Sequence, residues 1–140
     1  MAFTDIPPLQ PHICVRGGLE AIAFYERAFG AANTFRQLAE DGRRVMHANL
    51  SIYGGEVMLH DEFPEFDMSV SAPPTIGGTA VAVSVNLPEP AAVDAAFAKA
   101  VEAGAQGLMP PSDTFWGARY ARIADPFGHV WAFNAPLEQT

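Results

Sequence analysis

The chain has 140 residues, 49% of them hydrophobic, and sets 16 acidic side chains against 8 basic ones for a net charge of −8. That length and apolar content fit one domain over residues 1–140 with a core of its own. An acidic chain without a Lys/Arg run does not track a phosphate backbone, so no nucleic-acid partner is expected. No apolar run nears the roughly 20 residues that span a bilayer, so no membrane partner is expected either.

The opening "MAFTDIPPLQPHI" lacks the charged and apolar regions of a secretion signal, and Cys14 is the only cysteine. A cytoplasmic location, no disulfide and no cysteine zinc cluster are the expectation. A first strand is predicted at "HICV", His12 to Val15. "LEAIAFYERAFGA", Leu19 to Ala31, then places Ala21, Phe24, Tyr25 and Ala28 on one helical stripe that ends at Gly30. Three strands follow at "NTFRQLA", "RVMHANLSI" and "EVMLHD", with Asp41-Gly42 and Gly54-Gly55 as hairpin turns. The Pro/Gly-rich "EFPEFDMSVSAPPTIGG", Glu62 to Gly78, is too long for a tight connection and reads as a linker or lid.

The order then repeats. "AVAVSV", Ala80 to Val85, reads as a strand; "PAAVDAAFAKAVEAGA", Pro90 to Ala105, as a helix burying Val93, Ala96, Phe97 and Ala100 before Gly104. Strands are predicted near "QGLMP", "ARYARIA" and "VWAFN", the last after a turn at Asp125-Pro126-Phe127-Gly128. The fold class is therefore α+β, with a βαβββ module over about 11–61, a linker over about 62–78 and a second module over about 79–135.

Strand alternation assigns faces. Met46, Ala48, Leu50 and Ile52 go to the helix side, which leaves His47, Asn49 and Ser51 opposite. Val57 and Leu59 leave Met58 and His60 opposite; Ile13 and Val15 leave His12 and Cys14. Val81, Val83 and Val85 leave Ala80, Ala82 and Ser84, while Trp131 and Phe133 leave Val130, Ala132 and Asn134. The helix-free face gathers histidines, hydroxyls and small residues. If the strands curl, that face is a cup.

Paired βαβββ modules, "FYERAFGA" in the first helix, "DAAFAKAVEAGA" in the second and the closing "DPFGHVW" resemble the vicinal oxygen chelate superfamily of glyoxalase I, bleomycin-resistance proteins and extradiol dioxygenases. "GRRVMHANLSI" and "PPSDTFWGARYARIADPFGHVW" are similar to its PhnB-like branch, over about Pro11 to Asn134. The resemblance implies a curved mixed sheet around a cup-shaped cavity, a homodimer, and a divalent metal in the enzymes but none in the drug-binding members. The metal-bearing positions of that superfamily fall on His12 and His60 in the first module. In the second they fall on Ala80, or Thr79 in a shifted register, and on Ala132, where those relatives carry an acid.

Two readings stay open. His12 and His60 either hold a divalent Zn, Ni, Fe or Mn with further donors such as His47, Glu56, Asp61 or water, or they line the cup as polar groups. In the first case the protein is a metal-dependent lyase, isomerase or dioxygenase acting on vicinal oxygens. In the second it binds a small organic ligand without metal. Candidate ligand contacts are His47, Asn49, Ser84, Phe115, Trp116, Tyr120 and Arg122: polar donors, flat aromatic surface, and a guanidinium for a carboxylate. Arg119 is a second possible anion partner, and His129 reads as a structural histidine. No nucleophile elbow, phosphate-binding loop, dinucleotide fingerprint or His-Glu-x-x-His is present, so hydrolase, nucleotide and zincin readings drop out.

Overall fold

The structure is a computed structural model and describes residues 7–66 and 69–137. Strand β1 (His12–Val15), helix α1 (Gly18–Phe29) and strands β2 (Ala32–Leu38), β3 (Val45–Ile52) and β4 (Gly55–Asp61) make the first module. A short helix α2 (Pro73–Ile76) lies in the connection. Strand β5 (Ala82–Asn86), helix α3 (Pro90–Ala103) and strands β6 (Gln106–Asp113), β7 (Ala118–Ala124) and β8 (Val130–Pro136) make the second. Each module builds one four-stranded mixed sheet, in the orders β1-β4-β3-β2 and β5-β8-β7-β6. In both, the first strand runs parallel to the last and the remaining pairs are antiparallel. The α+β class and the paired βαβββ modules expected from the sequence are what the chain forms.

The helical stripes bury as their spacing requires. Ala21, Phe24, Tyr25 and Ala28 of α1 and Val93, Ala96 and Ala100 of α3 join one apolar cluster with Ile13, Val15, Leu50, Leu59, Ile123, Trp131 and Phe133. Both helices end on a glycine at positive φ, Gly30 (66°) and Gly104 (123°), a conformation that strains any residue with a Cβ. The helices also touch each other. Phe29 brings its ring to 4.9 Å from Trp131, so α1 packs on the sheet of the other module as well as its own. Both helix-facing sheet surfaces thereby share one interior, and both helix-free surfaces point away from it.

Four sequence readings shift. Met46 was expected on the helix side but is 47% exposed. In the β2–β3 ladder Gln37 stands opposite His47 and the next residue, Leu38, opposite Val45, so Met46 is an extra residue on β3. That bulge returns Val45 to the core and turns Met46 out. Strand β5 begins at Ala82 rather than Ala80, and Val81, ahead of it, is 67% exposed where burial was expected. The hairpin joining β3 to β4 turns on Tyr53 and Gly54, between the paired Ile52 and Gly55, instead of on Gly54-Gly55. Tyr53 has φ 50°, alone at positive φ among the described non-glycine residues; this costs roughly 1–2 kcal/mol. Its ring recovers contact by lying 5.8 Å from Phe29 and 5.9 Å from Phe133. Finally, β6 extends through Pro110 and Pro111 to Asp113, longer than the five residues of "QGLMP". It is an edge strand, where proline's missing N–H goes unneeded.

Two buried carboxylates hold the loops. Asp61, at the end of β4, accepts the backbone N–H groups of Gly17, Gly18 and Val45 at 2.7–3.0 Å, and so pins the start of α1 to two strands. Asp125 opens the predicted turn before β8 and accepts the N–H groups of Phe127 and His129 at 2.9 and 3.0 Å.

Candidate ligand-binding site

Strand parity puts His12 and His60 on the helix-free face of the first sheet, and there their rings meet edge to face at 4.7 Å. His47 joins them, 5.5 Å from His12. His60 is buried and its Nδ1 lies 2.8 Å from the Asp61 carbonyl oxygen, which makes Nδ1 the donor and leaves Nε2 as the lone-pair nitrogen. His47 Nε2 lies 2.7 Å from Asn49 Oδ1, and Asn49 Nδ2 donates to Glu56 Oε1 at 2.7 Å. A carboxylate thus orients an imidazole through an amide. Burial, followed by the neighbouring His60 and His47, holds the pKa of His12 below the ordinary histidine value.

The four-ligand arrangement of the metal-bearing relatives takes two donors from the first and last strands of the second module, and those strands do not supply them here. Strand β5 reads Ala-Val-Ser-Val-Asn and β8 reads Val-Trp-Ala-Phe-Asn-Ala-Pro, without a histidine, cysteine or acid in either, whatever the register. Thr79 and Ala80 stand outside β5. Among the described residues no three His, Cys, Asp or Glu side chains are grouped to hold a metal ion. The donor set does not fit the four-ligand site of the metal-bearing relatives.

On the helix-free face of the second sheet one row runs across three strands: Ser84 stands opposite Ala132, and Ala132 opposite Arg122. Arg122 Nε donates to Tyr120 Oη at 2.9 Å, with the guanidinium carbon 5.9 Å from the Tyr120 ring centre. Trp116 meets the same Tyr120 at 5.7 Å, and Phe115 meets Trp116 at 5.0 Å. The two loop aromatics are not core residues: Phe115 is 97% and Trp116 56% exposed. Among the described residues no carboxylate pairs with Arg122. Arg119, expected as a second anion partner, is instead tied to Asp94 and Asp113 at 3.0 Å each.

The structure therefore brings His12, His47, Asn49 and His60 together on one sheet, and Phe115, Trp116, Tyr120 and Arg122 on the other. Among the described residues no hydrogen bond or ring contact joins the two groups within one chain. Ser84 belongs to the second sheet's row but also edges a cavity between the modules, together with Tyr53, Glu56 and Trp131. Tyr53 has no sequence signal beyond its place before Gly54-Gly55. His129 is structural, its Nε2 2.7 Å from the Cys14 carbonyl oxygen, so that the turn before β8 ties to β1. Cys14 is buried, and desolvation, with Glu62 and Asp61 nearby, pushes its thiol up to about 11; it is not a nucleophile.

The chain is thus an α+β protein of two paired βαβββ modules whose helix-free faces carry the polar groups. The sequence profile of the Glyoxalase/Bleomycin resistance protein/Dioxygenase superfamily matches residues 9–133, and the chain belongs to that superfamily. It is 39% identical over 140 residues to the uncharacterized protein Rv0887c of Mycobacterium tuberculosis, covering 99% of this chain and 80% of that one. Among solved structures it is similar to TioX from Micromonospora sp. ML1, with TM-score 0.72, 29% identity, and coverage of 92% of this chain and 98% of that one. A PhnB protein from Bacillus cereus shares the fold at TM-score 0.68 and 18% identity, over 92% and 99% of the two chains. Among the described residues no helix is long and apolar enough to cross a membrane.

Proposed function

We propose that this protein binds a small planar organic acid on the helix-free face of the second sheet, without a resident metal, as a cytosolic homodimer. The observation that carries this reading is the pairing of Ala132 with Arg122. Where metal-bearing relatives place an acid, this chain has a methyl group, and the cation opposite it is left to a phenol. An acid at that position would neutralise Arg122; alanine leaves the guanidinium for a ligand carboxylate, which it can grip through two parallel N–H bonds. Trp116 and Tyr120 supply the flat wall against which a conjugated ring stacks.

Dimerisation is supported by the apolar groups left on the helix-free faces. Phe35 stands beside His47, Met109 stands opposite Arg122, and both are exposed together with Phe115 and Trp116. A second copy covers such apolar surface. Light scattering over a wide concentration range tests it, and a strictly monomeric mass overturns it.

The binding test is titration with 1-naphthoate, followed by tryptophan fluorescence, against the neutral isostere 1-naphthylmethanol. Saturable quenching by the acid, lost in Arg122→Ala and Trp116→Ala, is expected; equal response to the alcohol overturns the reading. A metal-dependent lyase, isomerase or dioxygenase is the competing reading, favoured by the contact of His12 with His60. Stoichiometric Zn, Ni, Fe or Mn surviving dialysis of untagged protein, and lost in His12→Ala/His60→Ala, establishes that reading instead.

A further inference from the structure

Between the modules lies a cavity of about 430 Å³, bounded by the segment before β1, the β3–β4 hairpin and β5. Its size falls in the range of small-molecule sites, which favour seams between packed units. Leu9 and Val83 give it apolar walls, with the buried Trp131 behind them; Tyr53, Ser84 and Glu56 bring the polar groups. It is separate from the Arg122 row in what it offers a ligand, because among the described residues Glu56 is the only side chain lining it that is charged at neutral pH.

Three features set it apart from a packing defect. Tyr53 is held at positive φ where a hairpin turn favours Asn or Gly, and its ring is fixed against Phe29 and Phe133. Neither the Tyr53 nor the Ser84 hydroxyl makes a hydrogen bond among the described residues. Burial raises the Tyr53 pKa, so the phenol remains a donor at neutral pH. Glu56 uses Oε1 to accept from Asn49, and no group among the described residues bonds Oε2. A carboxylate with an open oxygen, two open hydroxyls and an apolar floor recognise a cationic head on an apolar body.

We propose that this seam cavity is a second binding site, for a small aromatic ammonium or amidinium compound whose charge meets Glu56 and whose ring lies against Leu9 and Val83, close to the buried Trp131. Glu56 is also linked through Asn49 to His47 on the histidine face.

Trp116 and Trp131 are the only tryptophans, so Trp116→Phe isolates Trp131 as the reporter. In that background, full-length protein is titrated with benzylamine, and with benzyl alcohol and benzoate as neutral and anionic controls. Benzylamine should give a saturable change in emission, with the alcohol weaker by about tenfold and benzoate inactive. Glu56→Gln should weaken benzylamine by about tenfold or more, and Ser84→Phe should fill the cavity and abolish the response. Urea unfolding of each variant checks that it is folded. If Ser84→Phe does not fold, Tyr53→Phe, which removes one hydroxyl only, must weaken benzylamine instead. Absence of saturation up to about 10 mM, equal binding of benzoate, or indifference to Glu56→Gln in folded protein overturns the proposal.

Discussion

Tyr25, on α1 of the first module, donates its hydroxyl hydrogen to Asp125 Oδ2 of the second at 2.5 Å, across 100 residues of chain. Trp131 Nε1 donates to the same oxygen at 2.9 Å, so this buried carboxylate collects two side-chain and two backbone donors. Four donors compensate the desolvation that a buried charge would otherwise suffer. One acid thus fixes the turn, seats the largest core residue and ties the modules through their helix-side surfaces. The helix-free faces take no part in this tie.

Removing the phenol hydroxyl isolates this tie. Tyr25→Phe should cost about 1.5–3 kcal/mol in urea unfolding, as expected for a hydrogen bond to a charged group. Burial and the Asp125 charge raise the Tyr25 pKa in the folded state, so its contribution is complete below the unfolded value near 10 and is lost as pH rises beyond it. The stability gap between wild type and variant should narrow as pH rises above about 10. Trp131→Ala, which removes both a donor and a core ring, should cost about 3–5 kcal/mol. A gap that widens with pH would mean that Tyr25 is not the proton donor.

Gly18 tests the other carboxylate clasp. A Cβ there would lie 2.4 Å from Asp61 Oδ2 and 2.7 Å from Val45 Cγ2, and neither atom is the end of a freely moving side chain. Gly18→Ala should therefore destabilise by about 2–4 kcal/mol although alanine favours helix. The adjacent Asp61→Asn should also destabilise, because both carboxylate oxygens accept N–H groups and an amide nitrogen in place of either would face a donor. Thermal unfolding of the two variants ranks them, and a harmless Gly18→Ala would refute the contact.

The modules, both helical stripes and the helix-free placement of His47, His60 and Tyr120 were legible because period and parity depend on local geometry alone. Met46 and Val81 were misplaced for the same reason: parity cannot count through a bulge or past a strand end. Tyr53 was invisible, since nothing in its neighbours announces a non-glycine residue at positive φ. The split between the histidine group and the arginine group was also out of reach. Which face of one sheet meets which face of another is decided by how α1 and α3 pack together, not by either strand pattern.

His12 provides a pH test of the histidine face. Its pKa is lowered in the folded state by burial and by His60 and His47, so the folded chain binds fewer protons than the unfolded one. That contribution is present above the unfolded value near 6.5 and is lost as pH falls through the lower folded value. Stability should therefore decline from about pH 7 to 5, and His12→Gln should flatten the decline. Urea midpoints measured across that range decide it; a slope unchanged by the substitution would place the titration elsewhere.

The last prediction restores the acid that Ala132 replaces. Ala132 is 2% exposed and stands opposite Arg122, so Ala132→Glu places a carboxylate within reach of the only arginine on that face that lacks one among the described residues. If Arg122 serves a ligand carboxylate, the introduced acid should occupy it and abolish the fluorescence response to 1-naphthoate. Arg122→Ala should abolish that response too while changing stability by no more than about 0.5–1 kcal/mol, because its protein partner is a single phenol. The double variant Ala132→Glu/Arg122→Ala separates charge pairing from crowding. It should be less stable than Ala132→Glu alone by about 3–5 kcal/mol, since a buried glutamate is then left unpaired. Naphthoate binding that survives Ala132→Glu in folded protein would move the anion site away from Arg122.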